Sequence, residues 1–275
     1  MINSVIEMFS YSFMQKAFIV GLLISLCAAL IGVSLVLRKN SMIGDGLSHV
    51  GFGAFAIATV LGIAPLEFAI PLVIIVSFLI LKLNESSKIH GDAMIALISA
   101  SSLAIGTFVV SISKGVNTDI NNYLFGSILS ISDRDVYISL VLTIIILLLY
   151  VLFYNKIFAL TIDEVFAKSI GIKTEGYNMI FAILCSLVVV LGMRLMGSLL
   201  ISSLIIFPTL SARELCKNFK SVVITSAFIS VISFTLGLIL SFLWESPTGA
   251  TIVIVNLIVF LFFKVINILR IKGGK

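Results

Sequence analysis

Long apolar runs separated by short polar segments follow one another along almost the whole chain. These runs do not alternate apolar and polar residues, as the strands of an outer-membrane barrel would, and most approach the roughly 20 residues that a helix needs to cross about 30 Å of hydrocarbon. The pattern predicts an all-α polytopic membrane protein with eight to nine spans. The nine candidate runs are Phe18–Leu37, Met42–Gly62, Leu66–Leu83, Ala93–Ile112, Val136–Tyr154, Tyr177–Leu195, Gly197–Leu210, Val222–Trp244 and Ala250–Ile268.

The seventh run is the least regular of the nine. It is short, follows Arg194 closely, and contains Gly197 and Pro208. Such a segment can be a broken or partial crossing that is buried against neighbouring helices. The longest loop, Asn155–Gly176, is too short for a second domain. Residues 163–171 within it predict a short helix closed by glycine, although a plain solvated connector fits the same residues.

Composition and charge support a membrane protein. Hydrophobic residues make up 60% of the chain and charged residues 11%, whereas soluble proteins contain about 25% charged residues. The pI near 9.1 would suit a nucleic-acid-binding protein, but the basic residues lie between apolar runs, so no nucleic-acid partner is expected. Cys27, Cys185 and Cys216 are far apart and form no CxxC pair, which favours a packing role over disulfide or metal chemistry.

The basic residues also predict the orientation of the chain in the bilayer. With an uncleaved N-terminus outside, four of the 18 basic residues lie outside and fourteen inside. This asymmetry follows the positive-inside rule and predicts that the C-terminus is cytoplasmic. The outside residues are Lys16, Lys114, Arg134 and Arg194, and the inside ones are Arg38, Lys39, Lys82, Lys88, Lys156, Lys168, Lys173, Arg213, Lys217, Lys220, Lys264, Arg270, Lys272 and Lys275.

An aspartate and a histidine four residues apart open the second run. On a helix this spacing places Asp45 and His49 on one face. Ionisable groups in a span usually face a protein interior or a water-filled path. Two interpretations stay open: a pair at the polar end of the span that is bonded to itself or to loop backbone, and a contact on a transport path.

The same two side chains suit a divalent first-row cation. Such cations bind carboxylate oxygen and neutral imidazole nitrogen, and two ligands from one chain leave the site incomplete. Asp92, two residues after His90 at the start of the fourth run, is a further candidate ligand near the exit. Capping of a helix N-terminus is the alternative role for Asp92.

A second segment of interest spans residues about 207–221. An apolar stretch ends at a proline and continues into a short amphipathic turn with basic residues on the predicted inside. It could press into a groove on a motor subunit, with Leu215 and Phe219 as apolar anchors. It could equally be a stop-transfer flank whose basic residues lie at the lipid headgroups. The residues assigned to this coupling role are Pro208, Arg213, Glu214, Leu215, Lys217 and Phe219.

The chain contains no P-loop, so any ATP hydrolysis that powers transport belongs to another chain. We therefore expect a transport subunit and not an enzyme. The alternatives from other classes are an intramembrane enzyme and a proton-coupled secondary transporter. An enzyme would need further catalytic polar groups inside the spans, and apart from Asp45 and His49 the spans offer essentially Ser and Thr.

Five short stretches, taken together, resemble the membrane permeases of bacterial metal-type ABC importers, the zinc/manganese/iron family that includes the high-affinity zinc uptake permease. The similarity covers nearly the whole chain, and the five stretches occur in the family's order and spacing. They are Gly44-Asp45-Gly46-Leu47-Ser48-His49, Tyr123-Leu124-Phe125-Gly126, Met196-Gly197-Ser198-Leu199-Leu200-Ile201-Ser202-Ser203-Leu204, Pro208 with Ala212-Arg213, and Ser246-Pro247-Thr248-Gly249.

The resemblance implies a single permease domain over residues 1–275 in the bacterial inner membrane, with a fold similar to the vitamin B12 importer permeases and about eight spans. It also implies a homodimeric pore in membrane lipid, two cytoplasmic ATPases and an extracytoplasmic metal-binding protein. Asp45 and His49 match the family's proposed cation contacts, and Pro208–Lys220 matches its coupling segment. Zn²⁺ is the expected cargo, with Mn²⁺ or Fe²⁺ as alternatives, and no tightly bound cofactor is expected.

Overall fold

The computed structural model describes residues 2–86, 91–113, 126 and 133–273. Every regular element in this part of the chain is an α-helix. We number these helices in chain order. They are α1 (Ile2–Ser10), α2 (Ser12–Leu37), α3 (Met42–Leu61), α4 (Pro65–Ser86), α5 (Gly91–Ile112), α6 (Asp133–Leu152), α7 (Tyr154–Ile162), α8 (Glu164–Ser169), α9 (Thr174–Met196), α10 (Ser198–Leu215), α11 (Phe219–Leu243) and α12 (Thr248–Gly273).

The helices confirm the predicted all-α polytopic membrane fold. Among the described residues, 7 helices are long and apolar enough to cross a membrane, and α6 with α7 forms an eighth apolar unit that bends by 70°. Helix α4 contains a shorter apolar stretch, Pro65–Ile80. The fifth predicted run therefore ends earlier than expected, because its helix stops at Leu152 and α7 leaves in another direction.

The seventh predicted run forms one continuous helix of 18 residues, α10, with Pro208 inside it. The helical structure is interrupted at the first residue of the run, Gly197, which separates α9 from α10 with φ 87° and ψ 158°. This region of backbone space is open essentially to glycine alone. Proline within a membrane helix is tolerated because neighbouring groups satisfy the freed backbone. Gly197 therefore sets the direction in which α10 leaves α9.

Helix α10 lies at the centre of the bundle, against α2, α3, α11 and α12. Close approach to α2 depends on Gly32, since a Cβ there would overlap the backbone carbonyl of Ile205. About two turns earlier on α2, the Ser230 hydroxyl of α11 donates to the Ser25 carbonyl at 2.9 Å. Small residues and interhelical hydrogen bonds are the usual means by which helices associate in lipid. They fix the position of α10 relative to α2 and α11.

A closed triangle of polar side chains ties α2 to α8 and α9. Arg38, just after α2, contacts Glu164 Oε2 with Nη2 at 2.7 Å and donates from Nη1 to Asn178 Oδ1 at 3.0 Å. Asn178 in turn donates to Glu164 Oε1 at 2.7 Å. These charge-assisted hydrogen bonds hold α8 and α9 against the end of α2. We call the end of the bundle that carries Arg38, Glu164, Arg213 and Lys217 the basic end.

The short helix α8 confirms the prediction for residues 163–171. The Asp163 carboxylate accepts a hydrogen bond from the Phe166 backbone N–H at 2.9 Å, which caps the helix N-terminus. Gly171 follows with φ 82°, the left-handed conformation that ends many helices.

The Ser-Pro-Thr-Gly stretch builds the turn between α11 and α12. The Ser241 hydroxyl donates to the Ser246 carbonyl at 2.6 Å and lies 2.9 Å from the Thr248 hydroxyl. The Ser246 and Thr251 hydroxyls are 2.7 Å apart. These contacts satisfy the Ser246 carbonyl and the hydroxyls of the turn within the chain. The stretch therefore has a structural role in shaping this turn.

Candidate functional site

Asp45 and His49 lie one above the other in the first turns of α3. His49 Nε2 is 3.8 Å from Asp45 Oδ2, which is longer than a hydrogen bond. The His49 side chain is 22% exposed and that of Asp45 39% exposed in the single chain. The two groups are therefore adjacent and accessible, and they are not locked to each other.

The two oxygens of the Asp45 carboxylate have different surroundings. Oδ1 accepts a hydrogen bond from the Ser202 hydroxyl of α10 at 3.0 Å, whereas Oδ2 faces His49. Ser48 donates to the Asp45 backbone carbonyl at 2.7 Å. The carboxylate is thus held by a neighbouring helix on one side and stays open on the other.

Glycines on either side of Asp45 let two helices approach α3 closely. A Cβ on Gly44 would lie 2.8 Å from the Ile205 side chain of α10, and one on Gly46 would lie 2.5 Å from Ile95 of α5. Larger residues would push these helices away. The glycines therefore fix the backbone that carries Asp45.

The geometry of the pair suits two ligands of one cation. Two donor atoms that each lie about 2.1 Å from a tetrahedral metal ion are roughly 3.4 Å apart. The observed 3.8 Å needs only a small rotation of either side chain to reach that separation. Among the described residues, no group of three or more His, Cys, Asp and Glu side chains could hold a metal ion. The remaining ligands would have to be water or groups from outside this part of the chain.

Asp92 does not complete a three-ligand site with this pair in the described structure. It is the second residue of α5, and its side chain is exposed. Because it follows Gly91 within the helix, it is not the N-cap residue; a carboxylate in the first turn still stabilises the helix dipole. His90 lies outside the described residues.

The segment predicted to contact a motor subunit is the end of α10, a short link and the start of α11. It does not form a separate helix. It lines a groove of about 320 Å³ at the basic end. The side chains around the groove are Leu37, Ile162, Arg213, Cys216, Lys217, Phe219 and Val222.

Phe219 is buried by the chain itself, with 8% of its surface exposed. Its ring packs against Phe158 with centroids 5.1 Å apart and against Tyr154 at 5.8 Å. Phe219 thus packs inside the chain and anchors α7, so its ring is not exposed for contact with a partner. Glu214 is also held internally, because Asn267 of α12 donates to its Oε2 at 2.6 Å. Leu215 is partly buried at the end of α10.

Two of the five resembling stretches meet in the structure. Gly126 has φ 78°, and a Cβ there would overlap the backbone of Met196 and Gly197. Only glycine fits both this conformation and this space. The contact joins Gly126 to the junction of α9 and α10. Tyr123, Leu124 and Phe125 lie outside the described residues.

The fold and this site define a polytopic helical membrane protein with an accessible Asp/His pair beside its central helix. The model of the ABC 3 transport family matches residues 10–267, and the chain belongs to this family. Membership favours a transport subunit over an intramembrane enzyme.

Individual relatives support this assignment along the whole chain. The manganese import system permease protein ScaB of Streptococcus gordonii is 30% identical, over 91% of this chain and 90% of the relative. The high-affinity zinc uptake system membrane protein ZnuB of Haemophilus influenzae is 29% identical, over 91% and 96%. The structure of PsaBC from Streptococcus pneumoniae in complex with Fab matches with a TM-score of 0.85 and 28% identity, covering 96% and 95%. The chain is therefore a multi-pass permease of the metal-type ABC transporters.

Proposed function

We propose that this chain is the membrane subunit of an ABC importer that moves a divalent transition-metal cation inward past Asp45 and His49. The observation that carries the proposal is the open pair at 3.8 Å, one oxygen and one nitrogen at the spacing of two ligands of one ion. Among the described residues only Asp45 and His49 are placed to bind the cation, so its coordination shell is incomplete. An incomplete shell holds the cation weakly enough for it to leave again, as conduction requires.

Zn²⁺ is the first candidate cargo and Mn²⁺ the second. A carboxylate and an imidazole suit both ions, and the relatives include permeases named for manganese and for zinc. Initial uptake rates of the two metals, measured at equal free concentration in cells that depend on this transporter, test the proposal. Import of one or both supports it. Transport by the purified subunit alone, driven by a proton gradient, would contradict it.

The proposed partners are a second copy of the chain, a cytoplasmic ATPase and an extracytoplasmic metal-binding protein. Helices α5 and α12 support the first of these, because only 17% of the most apolar 18-residue stretch of each helix is buried in the single chain. Such faces need lipid or another helix as a neighbour. The location of Arg38, Arg213 and Lys217 at one end supports a cytoplasmic basic end.

The groove at the basic end is the proposed contact for the ATPase. Its lining includes apolar side chains, such as Leu37 and Val222, and two cationic side chains, those of Arg213 and Lys217. Both cations are exposed, so they are available to acidic groups of a partner. The proposed coupling role therefore depends on Arg213, Lys217 and the groove. Phe219 and Glu214 hold the segment in place through contacts with α7 and α12.

Charge reversal at Lys217 tests this contact. Lys217→Glu is expected to lower ATP-driven metal uptake about 10-fold, because like charges across an interface disfavour association. Co-purification of the ATPase with tagged permease, together with uptake, measures the effect. Lys168→Glu, an exposed reversal on α8 outside the groove, is the matched control. Equal ATPase recovery and equal uptake for the two variants would argue against the groove as the contact.

A further inference from the structure

We infer that Ser202 is a positioning residue for the cation site: its hydroxyl holds Asp45 so that Oδ2 faces the passing ion. The inference rests on the proposed function of Asp45 and deepens it. The two residues are 157 positions apart in sequence and meet at 3.0 Å, Ser202 Oγ to Asp45 Oδ1. Ser202 does not contact the cation in this account; it acts through the carboxylate.

The hydrogen bond removes a rotational freedom that the carboxylate would otherwise have. With Oδ1 bonded to Ser202, Oδ2 is the oxygen that stays on the side of His49. Groups that hydrogen-bond to metal ligands orient those ligands, and losing one typically costs 10-fold to 100-fold in metal affinity. Without the Ser202 hydroxyl the Asp45 carboxylate is free to rotate, and a smaller fraction of the molecules hold it in the orientation that binds the cation.

The Ser202 hydroxyl also has a second acceptor within reach. The Ser198 backbone carbonyl, one helical turn earlier, lies 3.0 Å from Ser202 Oγ. A hydroxyl carries one proton, so it serves either the helix backbone or Asp45 as its main acceptor. Asp45 can therefore be released without leaving a polar hydrogen unpaired in the membrane.

Helix α10 links this contact to the basic end. It runs without interruption from Ser198 to Leu215, and Ser202 and Arg213 are about 16 Å apart along it at 1.5 Å per residue. A displacement of α10 at its basic end thus changes the distance from the Ser202 hydroxyl to Asp45. The structure offers a direct route by which a motor subunit could alter the affinity for the cation.

The neighbouring Ser203 provides a matched control on the same helix. Its side chain is buried and accepts a hydrogen bond from Asn256 Nδ2 of α12 at 3.2 Å. Ser203→Ala also removes one hydroxyl group from α10, but this hydroxyl contacts Asn256 of α12 and not Asp45. If the loss of metal affinity came from a general loosening of α10, it should appear in both Ser202→Ala and Ser203→Ala.

The experiment is equilibrium binding of Mn²⁺, and separately of Zn²⁺, to the purified permease–ATPase complex. Ser202→Ala is expected to raise the Kd about 10-fold, while Ser203→Ala keeps the wild-type value. Ser202→Thr keeps the hydroxyl and Ser202→Val has nearly the same shape without it. The Ser202→Thr variant is expected to bind the metal about 10-fold more tightly than the Ser202→Val variant.

The outcomes separate this inference from the proposed function. If Ser202→Ala binds metal like Ser203→Ala, or Ser202→Val binds like Ser202→Thr, the positioning role is overturned even when Asp45→Ala abolishes binding. If Asp45→Ala binds both metals as wild type does, or the wild-type complex binds neither, the proposed function itself fails.

Discussion

Replacing Asp45 with asparagine is expected to lower metal uptake by about 100-fold or more. The substitution keeps the shape of the side chain and an oxygen that can accept from Ser202, but it removes the negative charge that faces His49. Hard and borderline divalent cations depend on anionic oxygen, and a direct ligand should matter at least as much as the outer-shell groups whose loss costs 10-fold to 100-fold. Initial uptake rates in cells, normalised to the amount of permease in the membrane, measure the effect.

Glu67→Gln is the control for Asp45→Asn. It makes the same change from carboxylate to amide on an exposed residue of α4, near Arg134 at the opposite end of the bundle. We expect its uptake to stay close to wild type. If Asp45→Asn and Glu67→Gln transport equally well at equal expression, Asp45 is not on the cation path.

Replacing Gly32 with alanine is expected to destabilise the bundle by about 3 kcal/mol. The added Cβ would overlap the Ile205 backbone carbonyl, and a backbone atom within a helix cannot move aside as a flexible side chain can. Helices α2 and α10 would have to separate, and the neighbouring contact between Ser202 and Asp45 would change with them. Thermal unfolding of the purified protein in detergent measures the loss.

Gly176→Ala is the matched control for this change. Gly176 lies in the first turn of α9, and nothing lies within 4 Å of a Cβ added there. Alanine is the better helix former by about 1 kcal/mol, so this variant should unfold at the wild-type temperature or slightly above it. Equal melting of Gly32→Ala and Gly176→Ala would show that the close approach of α2 and α10 is not required.

The sequence predicted those features that depend on residues close together in the chain. Apolar run length predicted the spans, and the i, i+4 spacing of Asp45 and His49 predicted their contact. The glycine that closes α8 was likewise a local signal. In each case the geometry of a single helix is sufficient to relate the residues.

Features that depend on helix packing were beyond the sequence. Ser202 lies 157 positions from Asp45, and nothing in the spacing relates them. The amphipathic pattern predicted Phe219 as an apolar anchor for a motor subunit, but its ring packs against Phe158 of α7 and is buried. Gly197 and Pro208 together predicted a broken span; the break occurs at Gly197, where the backbone takes a conformation that requires glycine, and the helix continues through Pro208.

The position of a bound cation tests the central claim most directly. Anomalous diffraction from crystals of the transporter soaked in Mn²⁺ locates the ion without assumptions about its ligands. We predict a peak between Asp45 Oδ2 and His49 Nε2, at about 2.1–2.2 Å from each atom. A fully occupied Mn²⁺ site elsewhere in the membrane-spanning bundle, with Asp45 and His49 free of metal, would contradict the account.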